Sequence, residues 1–89
     1  MTAARFVVSG RVQGVWFRAS TREQALVLGL RGQAMNMIGG DVEVIAAGSA
    51  EAVDALHRWL QHGPPLACVE RVMRASIDAA GVAEGFPIG

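Results

Sequence analysis

Residues 49–65, "SAEAVDALHRWLQHGPP", constrain the fold more than any other stretch of this chain. Val53, Leu56, Trp59 and Leu60 recur at helical spacing, so one face of a helix is apolar and must be buried against something. Ser49 precedes the run as an N-cap, and Gly63-Pro64-Pro65 ends it. On either side lie short runs of strand character, "VEVIAAG" before and "ACVERVMRASI" after. A helix of this kind between strands packs on the face of a sheet, which sets a two-layer design.

Residues 5–12, "RFVVSGRV", read as a first strand with Phe6, Val8, Gly10 and Val12 on one side. A turn at Gln13-Gly14 follows, and Ser20 with Glu23 matches a capping box, which predicts a helix from about residue 21 to Leu28. "GQAMNMI", "GGD" and "VEVIAAG" read as a β-hairpin. The predicted order is strand, helix, strand, strand, helix, strand, with "GFPI" as an optional short extra strand. This is the β-α-β-β-α-β order of an α+β, ferredoxin-like two-layer sandwich, its antiparallel or mixed sheet carrying both helices on one face. At 89 residues, 1–89 form a single domain.

Eight arginines balance eight acidic residues and there is no lysine, so the formal charge is zero. That balance argues against nucleic acid, which favours a basic excess. The middle strands also lack the stacking aromatics of an RNA-binding sheet. Cys68 is the only cysteine, which rules out an internal disulfide and fits a reducing compartment; it reads as a small buried apolar group. No secretory signal or membrane-length apolar run is present. A cytoplasmic monomer without membrane partners is expected.

The chemistry concentrates in "RVQGVWFRAS", residues 11–20. If the backbone of Gln13, Gly14, Val15, Trp16, Phe17 and Arg18 wraps inward, its N–H groups form a cradle for phosphate or sulfate. Arg18 adds a planar fork of donors, while Trp16 and Phe17 pack beneath the loop and stiffen it. Taken alone, the stretch also fits an ordinary turn followed by a surface arginine. His57 and His62 fall on the second helix, where His62 in the last turn suits the helix dipole better than catalysis. Met35 and Met37, flanking Asn36, read as packing residues, and Glu70, Arg71 and Arg74 as solvated charges.

"GRVQGVWFR" resembles the first signature of the acylphosphatase family, G-x-V-Q-G-V-x-F-R. "GQAMNMIGGDVEVIAAG" is similar to its second, with Gly32, Asn36, Gly40, Val42, Glu43 and Gly48 at matching positions. The resemblance implies hydrolysis of carboxyl–phosphate anhydrides to carboxylate and phosphate, with no metal or other cofactor. Arg18 would then bind the phosphoryl group, Asn36 would orient the attacking water, and residues 13–18 would form the cradle. The family usually carries an aromatic residue where this chain has Gln33, and an aspartate where it has Gly39. The alternative is a phosphate- or carbamoyl-phosphate-binding module of the same fold without significant turnover.

Overall fold

In a computed structural model spanning residues 1–89, the elements follow the predicted order: β1 (Thr2–Arg11), α1 (Phe17–Val27), β2 (Arg31–Asn36), β3 (Val42–Gly48), α2 (Ala50–Leu60) and β4 (Cys68–Ser76). The strands lie in the order β2-β3-β1-β4, every neighbouring pair antiparallel. The fold is the ferredoxin-like α+β sandwich. One element joins it in parallel. The chain at 85–89 runs beside β2, with Ala34 bridging Ile88, and the Gly32, Ala34 and Asn36 amides donate to Gly85, Pro87 and Gly89 carbonyls. The optional fifth strand is therefore a short strap along one sheet edge.

Strand alternation decides which side is core. Phe6 and Val8 of β1, Val42, Val44 and Ala46 of β3 and Ala34 of β2 are all buried. They meet Val53, Leu56 and Leu60 of α2, and Ala25 and Phe17 of α1, in one continuous cluster. Burying a side chain of this size contributes roughly 1.5–3 kcal/mol, so this layer carries the fold. The opposite face is partly roofed by residues 77–83, which border a cleft of about 200 Å³ against Gln33 and Ile45.

Helix α2 matches its sequence signals. The Ser49 hydroxyl accepts from the Ala52 amide at 3.1 Å, and Glu51 favours the positive end of the helix dipole. The helix stops at Leu60, which leaves His62 just beyond it rather than in its last turn.

Helix α1 departs from expectation. It begins at Phe17, and Ser20 is already inside it, its amide bonded to the Trp16 carbonyl at 2.9 Å. Ser20 and Glu23 therefore form no capping box. The reason is Phe17: its buried ring is the first anchor of the helix, tilted 48° against Trp59 at 6.0 Å and seated over Gly63. A Cβ at Gly63 would stand 2.6 Å from that ring, so the glycine that ends α2 also makes room for the start of α1. At its far end, α1 closes with Leu30 and Gly29 amides bonded to Ala25 and Leu26 carbonyls, a Schellman turn.

Cys68 is exposed, contrary to its reading as a buried group. It opens β4, which is an edge strand, and it is the flanking Ala67 and Val69 that pack against the core.

Candidate active site

The turn after β1 is shaped by two left-handed residues. Gly14 has φ +75° and Trp16 has φ +63°, the latter being the one non-glycine residue in this region of backbone space. Space is no constraint at Gly14, because a Cβ there would meet nothing within 4 Å; the glycine is needed for its φ. Left-handed backbone costs an L-residue such as Trp16 about 1–2 kcal/mol.

Phe17 packs beneath the loop as expected, whereas Trp16 does not. Its side chain is 77% exposed. It is the N-cap residue of α1, and its side chain caps nothing. It lines a recess of about 120 Å³ together with Gly14, Phe17, Arg18, Ala19 and Ile88.

Two features make this recess suited to an anion. Helix α1 has no side-chain cap and no acidic residue in its first turn, unlike α2. None of the backbone N–H groups of residues 14–19 has an acceptor within the protein; the first amide to find one is that of Ser20. Free amides at a helix start carry partial positive charge. Arg18, the second residue of α1, adds a full charge. It enters none of the three ion pairs, which join Arg5 to Glu43, Arg31 to Glu84 and Arg74 to Asp54.

Asn36 closes β2 and is exposed. Two links tie its strand end to the loop. The Gln13 side-chain amide donates to the Met37 and Asp41 carbonyls, each at 2.9 Å, and so clasps the β2–β3 turn. The strap supplies the second: Ile88 lines the recess, and the next residue, Gly89, accepts from the Asn36 amide at 2.9 Å. Sequence reading placed Gln13 in the cradle but missed this clasp, because only the folded turn presents two carbonyls to one amide. Val15 is part-buried against the core cluster and stiffens the loop.

The remaining candidates lie elsewhere. His57 faces Phe6 and Arg74 on α2, with its pKa lowered by burial and then by the Arg74 charge, against an opposing pull from Asp54. Gln33 borders the cleft on the far face of the sheet, so the departure at that position sits outside the recess. No three His, Cys, Asp or Glu side chains gather to hold a metal ion. No helix is long and apolar enough to cross a membrane.

The acylphosphatase family model matches residues 4–88, nearly the whole chain. The chain belongs to the acylphosphatase family. An acylphosphatase of Xanthomonas oryzae pv. oryzae is 66% identical over 74 residues, covering 83% of this chain and 84% of its own. One from Xanthomonas campestris pv. campestris is 54% identical over the full length of both. The crystal structure of acylphosphatase from Bacillus subtilis superposes with a TM-score of 0.93 at 30% identity, covering 100% of this chain and 99% of that one. The protein is thus an acylphosphatase enzyme, and its substrate is a small-molecule acyl phosphate.

Proposed function

We propose that the recess at 13–18 is the phosphoryl site and that hydrolysis proceeds by in-line attack of water without a metal. The observation that carries this reading is the run of unpaired amides at 14–19 beside the free guanidinium of Arg18. Together they hold the three equatorial oxygens, on which charge spreads in a loose transition state. The Asn36 carboxamide orients the water on the opposite side of phosphorus. The water oxygen forms the new P–O bond as the bond from phosphorus to the acyl oxygen breaks. The bond electrons leave with the carboxylate, and the water's proton passes to a phosphate oxygen. A carboxylate with pKa near ~4 departs unaided, so no general acid is required. The remaining contribution is alignment, which Gln13 and the strap support by tying Asn36 to the loop.

The chain acts as one domain and as a monomer in the cytoplasm, with neither nucleic acid nor membrane as a partner. Its zero formal charge supports the absence of a nucleic-acid or anionic-membrane partner. The deciding experiment is hydrolysis of acetyl phosphate by wild type and Asn36→Ala, with a chelator present and inorganic phosphate as competitor. Asn36→Ala should lower kcat by about 10²-fold or more while the phosphate inhibition constant barely moves. Wild-type turnover by that variant removes the water-orienting role, and loss of wild-type activity to chelator removes the metal-free route. Phosphate binding with no hydrolysis by wild type would instead favour the non-hydrolytic module.

A further inference from the structure

Trp16 is unexplained by packing. Its indole is largely in water, and its backbone is held in a conformation that disfavours any side chain. Several other large apolar side chains are exposed, including Leu26, Val27, Ile38 and Met73, but Trp16 alone among the exposed set lines a recess. Strained backbone of this sort gathers at ligand clamps, where surrounding structure enforces it. Here the enforcement is visible: Phe17 after it is anchored in the core and Val15 before it packs against the same cluster.

The recess also orders what it can hold. It measures about 120 Å³, and its polar side is Arg18 with the free amides of the loop. With the phosphoryl group against those donors, the acyl portion meets the apolar rim that Trp16 and Ile88 contribute. We infer that Trp16 is an acyl-group platform, its indole face receiving a flat, aromatic acyl group, so that aroyl phosphates are favoured over short aliphatic ones. This inference rests on the recess being the phosphoryl site. An aromatic ring offset over indole gains from both area burial and quadrupole alignment, which a methyl group cannot match. The fixed backbone leaves few conformations to be lost on binding, so more of that gain appears as affinity.

The test compares kcat/KM for benzoyl phosphate and acetyl phosphate in wild type, Trp16→Gly, Trp16→Asn and Trp16→Phe, with thermal melting as the fold control. Glycine and asparagine both accept left-handed backbone, so the loop can persist without the indole. Wild type should prefer benzoyl phosphate. In Trp16→Gly and Trp16→Asn the benzoyl-to-acetyl ratio should fall about fivefold to tenfold, chiefly through KM, while Trp16→Phe keeps most of it. A ratio within about twofold of wild type, or an equal loss on both substrates, overturns the platform and leaves Trp16 with loop shape alone. If wild type hydrolyses neither substrate and binds no inorganic phosphate, the phosphoryl-site reading falls and the platform falls with it; binding without hydrolysis removes the platform's role in turnover. If wild type is active and only the ratio fails to move, the platform alone is wrong.

Discussion

Arg18 owes its place to its neighbour. Phe17 is driven into the core, and the next residue is thereby carried onto the first turn of α1, beside amides that nothing in the protein uses. Charge there is easy to supply, but a planar pair of donors is not. Arg18→Lys should lower kcat/KM for acetyl phosphate by at least about tenfold and weaken phosphate inhibition in parallel, as steady-state kinetics will reveal. His57 offers a second residue-scale prediction. Its folded pKa lies below the ordinary 6.5, so the unfolded chain takes up the proton more readily. The contribution is whole above that value and drains away as pH falls through the folded pKa. Melting curves across mildly acidic pH should therefore be steeper in pH for wild type than for His57→Gln. That Arg18 follows a glycine turn at a helix start was legible because the motif it ends sets Gly14 and Phe17 ahead of it. Trp16 and Cys68 were misjudged because residue type speaks of cost in water, and says nothing of which backbone or sheet edge will expose it.

The two helices illustrate why some elements read plainly and others do not. In α2, cap, apolar stripe and stop all agree, and the helix forms where they say. In α1, the Ser20–Glu23 pattern competes with the demand to bury Phe17, and burial wins by a full turn. A cap contributes about 1 kcal/mol. Losing a buried aromatic costs about 3–5 kcal/mol. Thr21, inside the displaced start, turns its hydroxyl back to the Phe17 carbonyl at 2.8 Å instead of serving any terminus. The Gln13 clasp belongs to this scale too, since it joins a loop to a hairpin turn. Gln13→Ala removes two hydrogen bonds worth about 1 kcal/mol each. Calorimetry should register a fall of about 8–16 °C in Tm. Kinetics should register a drop in kcat that shrinks when Asn36 is already alanine, because the clasp acts through that strand end. Gly39 lies within the clasped turn, yet the clasp takes only main-chain carbonyls, so the missing aspartate leaves it intact.

Across the whole molecule, the order of elements and the one-sided core were legible from the strand-like runs, the α2 stripe and the glycine and proline breaks between them. The strap was legible only as a possibility. "GFPI" is too short to declare its partner, and pairing beside β2 depends on Phe86 finding the core. Deleting residues 85–89 should strip β2 of its cover, lower Tm markedly, and bring concentration-dependent association through the bared edge, measurable by light scattering. The same strap governs how the protein can be handled. Gly89 sits against the Asn36 amide and follows Ile88 of the recess, so an affinity tag or fusion partner grafted there would crowd the proposed phosphoryl site. Attached ahead of Met1, at the opposite end of β1 from the recess, the same appendage would leave that mouth clear.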